Sequence, residues 1–231
     1  MGYEALLSAL PALPDEPEED IPIQMDQFWW RVGMEGDPVL SDLVEAVLLM
    51  RGVVNILMAV EGKEPSHFAT LSRAEVKEPE FYPEFAESFA PDADSLGKAA
   101  DGLWERYFEH AFDVARECES KLFFDSLTWE VGLRNALVEK RSAAMNMDAS
   151  KHLLLEDYSP STDTYQPLLA DIDFLKDSPD KIAHRVSRLR LEKLEELTPW
   201  ASNSRDAVVC YALKLMVLKH ASVLLSKERT E

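Results

Sequence analysis

The chain has 231 residues, 46% of them apolar and 29% charged, which excludes a disordered polymer and leaves room for one large domain or two small ones. Acids outnumber bases 43 to 24, giving a formal charge of −19. Nucleic acids and anionic membranes both demand Lys and Arg from a partner, so this balance sets them aside and favours basic protein surfaces.

The acid excess is uneven: residues 1–94 hold 20 acids and 5 bases, whereas residues 95–231 hold 23 and 19. From the N-terminus, residues 1–13 read as a short apolar element, followed by an acidic connector from Asp15 to Asp20. A short helix is expected around Met25 to Val32, with Asp26 near its start and the cluster Phe28-Trp29-Trp30 anchoring it in the core, an exposed partner site being the alternative. Asp37-Pro38 opens a strong helix, an N-cap followed by a proline at the first helical position. Its stripe Leu40, Leu43, Val47, Met50, Val54 and Leu57 holds helical spacing until Glu61-Gly62.

Residues 61–95 carry Pro65, Pro79, Pro83 and Pro91 and read as an acidic connection. Within it, Phe81, Phe85 and Phe89 stand four apart and suggest a short helix with three rings on one surface. Ser95 starts the longest helical stretch, striped by Leu103, Tyr107, Ala111, Val114 and Cys118, and a further helix, either continuous with it or separate, runs from about Ser126 to Met147. After a polar loop at 158–167, helices are expected at about 168–175, 179–197 and 204–227, with Pro199 between the last two and Asn203 or Ser204 capping the final one. Strand alternation and hairpin dipeptides are missing. The reading is an all-α chain: one helical domain over 1–231, or two helical units, 1–62 and 95–231, joined by 61–95.

Signatures of chemistry are sparse. Neither GxxxxGK[ST] nor GxGxxG nor GxSxG occurs, and only Glu64-Pro65-Ser66-His67 has the Glu-x-x-His spacing of a carboxylate-bridged metal site. Cys118 sits between Glu117 and Glu119, which disfavour its thiolate, and with Cys210 reads as a core residue. No cofactor or metal is expected. The N-terminus lacks a basic, apolar leader, and the apolar stretches 43–60 and 207–225 carry polar residues, so a cytoplasmic chain without membrane insertion is expected.

Two polar features stand out. Lys181, Arg185 and Arg188 share one helix face, which reads as a solvated surface or, alternatively, as a contact for an acidic partner or for the chain's own acidic first third. Two apolar helices each carry an asparagine, Asn55 after Met50-Arg51 and Asn135 after Gly132-Leu133-Arg134. A buried carboxamide is costly unless hydrogen-bonded, so its recurrence suggests duplicated helical units, each using Asn to fix a neighbouring helix.

The pattern Trp129-Glu130-x-x-x-Arg134-Asn135-Ala136-Leu137-x-x-Lys140-Arg141 resembles the helical core motif of the central-stalk d subunit of V/A-type ATPases. Tyr3-x-x-Leu6-Leu7-Ser8-Ala9-Leu10-Pro11 and Met50-Arg51-x-x-x-Asn55-Ile56-Leu57 more closely resemble a bacterial family related to that stalk protein and encoded among V-type ATPase genes. The resemblance implies a non-catalytic helical body, peripheral to the inner membrane through its complex, whose partners are the rotor shaft or the membrane ring. It implies structural roles for Asn55, Asn135 and Arg141, and it supplies no catalytic residue. With 231 residues the chain is shorter than the three-repeat stalk protein. A stand-alone helical adaptor or assembly factor binding basic proteins is the alternative, and a metal-holding helical-bundle enzyme is the third reading.

Overall fold

The computed structural model describes residues 3–16, 19–65, 75–89, 96–198 and 204–228. His67 of the Glu-x-x-His spacing, the helix-bounding Pro91, Ser95 and Pro199, and Asn203 lie outside them. The protein is all-α, with seven α-helices, six 3-10 turns and no strand among the described residues. Contacts divide the chain into a middle unit, Gln24–Lys121, and a terminal unit that joins Met1–Ile23 to Leu122–Glu231. These are not the two units expected at 1–62 and 95–231, because residues 75–89 of the supposed connection pack inside the middle unit.

The middle unit contains α2 (Met25–Met34), α3 (Pro38–Val60) and α4 (Leu96–Glu117). Helix α2 opens with a reciprocal capping box between Gln24 and Gln27, and Asp26 stands in its first turn as expected. The Asp37 carboxylate accepts from the backbone N–H groups of Val39 at 3.0 Å and Leu40 at 3.4 Å, so the predicted cap of α3 is present. At its other end Gly62 takes φ +71° and the Lys63 N–H reaches the Met58 carbonyl at 2.8 Å, closing a Schellman cap. Leu40, Leu43, Val44, Val47, Val53 and Ile56 of α3 are buried, and the Tyr107 hydroxyl on α4 donates to the Ala46 carbonyl at 3.2 Å. By length and hydropathy α3 matches a membrane span; most of its surface is buried in this unit.

The three phenylalanines do not share a helix. Three 3-10 turns, Glu75–Lys77, Pro79–Phe81 and Glu84–Ala86, replace it, since Pro79 and Pro83 remove backbone donors. Phe89 is buried and Phe81 exposed, while Phe85 lies edge-on to Tyr107 and stacks on His110.

The terminal unit contains α1 (Glu4–Ala9), α5 (Lys121–Met145), α6 (Pro179–Leu197) and α7 (Arg205–Glu228). Helices α4 and α5 are separate: Glu119 adopts φ +54°, and the Ser120 N–H returns to the Ala115 carbonyl at 2.9 Å. Asn146 repeats this cap after α5. The helix expected at 168–175 is a series of turns instead. There the Asp173 carboxylate accepts from the Leu175 N–H, and the Asp177 carboxylate from the Asp173 N–H, local bonds that compete with the helical ladder. Between α5 and α6 the chain therefore runs without a full α-helix, and a core of Leu133, Ala136, Tyr165, Leu169, Ile172, Val186 and Leu189 secures it.

Candidate functional site

Helix α5 carries polar anchors on several of its sides, through which it holds this irregular segment and helix α6. Asn135 is buried, and its carboxamide exchanges two hydrogen bonds with the backbone of Leu154: Nδ2 donates to the carbonyl at 2.7 Å, and Oδ1 accepts from the N–H at 3.0 Å. The side chain thereby acts as a strand-like partner for a loop that has no regular secondary structure at that point. The asparagine fixes a connecting loop, not a neighbouring helix as its recurrence suggests. Next along the chain, Leu155 is held at φ +44°, a left-handed conformation that costs a non-glycine residue roughly 1 kcal/mol and persists only where its surroundings impose it.

The remaining anchors flank Asn135. The Tyr165 hydroxyl donates to the Trp129 carbonyl at 3.1 Å, and its ring occupies the space where a side chain at Gly132 would stand. Burial, with the Glu130 carboxylate adding to it, pushes the phenol up to about 12. Lys140 donates its ammonium to the Leu169 carbonyl at 2.5 Å. Arg190 of α6 forms a bidentate pair with Glu130, its Nε 2.9 Å from Oε2 and its Nη2 on Oε1. Burial alone would lower the guanidinium, but the paired carboxylate carries it above its ordinary value.

In the middle unit Asn55 and Arg51 are both buried on α3. Burial draws Arg51 below its usual range. Arg141 differs from both asparagines: it is exposed near the end of α5, so it does not hold helices together. The reason is its register, because Ser142 takes the buried position beside it.

Each cation on the basic face of α6 lies near a carboxylate of the same unit. Lys181 pairs with Asp177 at 2.5 Å and Arg188 with Glu16 at 3.3 Å, while Arg185 Nη1 lies 3.9 Å from Glu192. The Lys181 hydrogen bond holds the Asp177 carboxyl below its usual range. Arg188 thus meets Glu16 of the chain's own acidic first third. A groove of about 610 Å³ lies between residues 10–16 and helices α6 and α7, bridged by the Tyr211 hydroxyl on the Pro11 carbonyl at 2.9 Å. Its cations Arg188 and Lys214 are paired with Glu16 and Glu195.

No family model, curated protein or solved structure matches this chain.

The geometry itself assigns the polar residues. On α5, Glu130, Asn135 and Lys140 each have a hydrogen-bond partner within the same unit. Among the described residues no group of three or more His, Cys, Asp or Glu is placed to hold a metal ion. Cys210 is buried against the Leu194 carbonyl and the Thr198 hydroxyl, and burial raises its thiol, leaving little nucleophile at neutral pH. Cys118 is only half-buried, less enclosed than its stripe position suggests. Sequence reasoning missed Gly132 and Tyr165. A glycine in the middle of an apolar helix was the available signal, since it costs about 1 kcal/mol relative to alanine and wants a packing reason. The aromatic cluster on α2 divides: Phe28 is fully buried, Trp29 half-buried, and Trp30 is 66% exposed.

Proposed function

We propose that the chain is a non-catalytic coupling or accessory component of a bacterial V/A-type ATPase, built like the central-stalk d subunit and placed between rotor shaft and membrane ring. The observation that carries this reading is the use of the resembling motif. Trp129, Glu130, Asn135 and Lys140 all bind other parts of the same unit, through the Trp129 carbonyl and three side chains. A motif consumed in internal anchoring belongs to a load-bearing body, in which rigidity is the function and the outer surface meets partners. The all-α build and the pair of buried asparagines, Asn55 and Asn135, agree with that role. The basic face at Lys181, Arg185 and Arg188 lies beside acids of the same unit, in exposed pairs of about 0–1 kcal/mol that an acidic partner can exchange, and it stays a candidate contact.

The test is co-purification. If the chain is a permanent component, an affinity-tagged version expressed at its natural level stays with the ATPase in fixed proportion through size-exclusion chromatography. The second reading, a stand-alone adaptor or assembly factor for basic proteins, is favoured by the charge of −19. That reading requires the chain to elute apart from the assembled complex.

A further inference from the structure

Helix α2 presents a face that packing among the described residues does not explain. Its inner side is complete, with Met25, Phe28 and Val32 at 4%, 0% and 0% exposure. Trp30 and Met34, one helical turn apart on the opposite side, are 66% and 68% exposed. A tryptophan and a methionine adjoining on one exposed face suit a contact surface: tryptophan is among the residues most enriched at binding hot spots, and methionine adapts its shape to a partner. Gly33 lies between them in the last turn of α2. A Cβ built there meets nothing within 4 Å, so packing inside the chain does not require the glycine. Glycine disfavours the helix relative to alanine, and its benefit here is a bare patch of backbone that a second helix can approach closely.

The charge around this ridge selects the occupant. Asp26 and Glu35 are exposed at its two ends, and Arg31, the one base on α2, is half-buried with a partner of its own. A second copy docked through the same face in two-fold fashion would set these carboxylates against their equivalents. An anionic membrane would be repelled by the same acids. We infer that the Trp30–Gly33–Met34 ridge of α2 is a docking surface for a basic amphipathic helix of a protein partner, its apolar side on the ridge and its Lys or Arg residues facing Asp26 and Glu35. This inference stands apart from the ATPase reading, because it specifies the chemistry of a partner and not the complex that contains it.

The probe is an 18-residue amphipathic helical peptide with Leu on one face and Lys on the other, titrated into the full chain by calorimetry. A Glu-for-Lys version and vesicles containing phosphatidylserine serve as comparisons. The Lys peptide should bind. Trp30→Ser with Met34→Ser should weaken it at least tenfold, and Asp26→Asn with Glu35→Gln by a smaller factor that shrinks as salt rises. Gly33→Ala should weaken binding while leaving thermal stability equal or higher, which separates docking from folding. The side chains changed are exposed, and a melting curve for each variant confirms the fold. Equal binding of the Lys peptide to wild type and the Trp30/Met34 variant overturns the proposal. So does preference for vesicles or for the Glu peptide, or a concentration-dependent dimer that the Trp30/Met34 variant abolishes.

Discussion

The ring of Tyr165 rests where a side chain at Gly132 would otherwise stand, and its hydroxyl reaches past that glycine to the carbonyl of Trp129 at 3.1 Å. Replacing Gly132 by alanine adds one methyl group and improves helix propensity by about 1 kcal/mol. It also drives the phenol out of its place, and overpacking of this kind costs about 1–3 kcal/mol with a further ~1 kcal/mol for the lost hydrogen bond. Gly132→Ala is therefore expected to lower stability by about 1–3 kcal/mol in urea denaturation. Gly102→Ala is the internal control. Its Cβ would meet nothing within 4 Å, and α4 should gain up to about 1 kcal/mol.

The same phenol makes a pH prediction. Tyr165 is pushed up to about 12 in the folded chain, by burial first and then by Glu130, against about 10 when unfolded. The unfolded chain therefore releases this proton first as pH rises. The stabilisation is fully present below about pH 10 and is lost between about pH 10 and 12. Burial also raises Tyr82, which adds to the fall. Chemical denaturation across this range should show a steeper loss for wild type than for Tyr165→Phe.

On α6 the pair Arg188–Glu16 is nearly half-exposed on both sides, at 44% and 46% of the side chains. Such pairs contribute about 0–1 kcal/mol and are screened by salt. A double-mutant cycle with Arg188→Ala and Glu16→Ala should give a coupling within that range that vanishes in high salt. Reversal to Glu at 181, 185 and 188 should destabilise the unit, because it faces new carboxylates with Asp177, Glu192 and Glu16.

At the end of α4, Glu119 occupies the left-handed position of a Schellman cap at φ +54°. Glycine fills that position without the penalty of a Cβ. Glu119→Gly should leave the structure intact and raise stability by about 0.5–1 kcal/mol, because relief of the left-handed strain outweighs the unfolded chain's added freedom. A thermal melt that falls would show that the Glu119 side chain does more than end a helix.

Much of the helical build was legible because its signals are local. Asp37-Pro38 and Gly62 bound α3 with a cap and a left-handed stop, and Ser178-Pro179 marks the start of α6 in the same way as Asp37-Pro38. The break between α4 and α5 was hidden, since Glu119 and not glycine takes the positive φ. The 168–175 segment has an apolar pattern that suits a helix, yet side chains of Asp173 and Asp177 bind its backbone, and Lys140 takes the Leu169 carbonyl. Phe81, Phe85 and Phe89 show the same lesson, because prolines convert a helical period into successive turns. Burial of Asn55 and Asn135 followed from apolar neighbours on their helices. The partner of Asn135 did not, for it lies 19 residues away in a loop whose return path no local signal records. The acids that neutralise Arg188 and Arg190 are 172 and 60 residues distant, so a basic stripe in sequence was no measure of free charge.

The most direct measurement is equilibrium urea unfolding of Asn135→Leu in the full chain. Leucine keeps the approximate size but leaves the N–H and carbonyl of buried Leu154 without the bonds they now make at 3.0 and 2.7 Å. A loss of about 2–4 kcal/mol is expected from two unsatisfied backbone groups. Unchanged or increased stability would contradict the claim that the α5 motif serves as an internal anchor, and the ATPase reading built on it would lose its support.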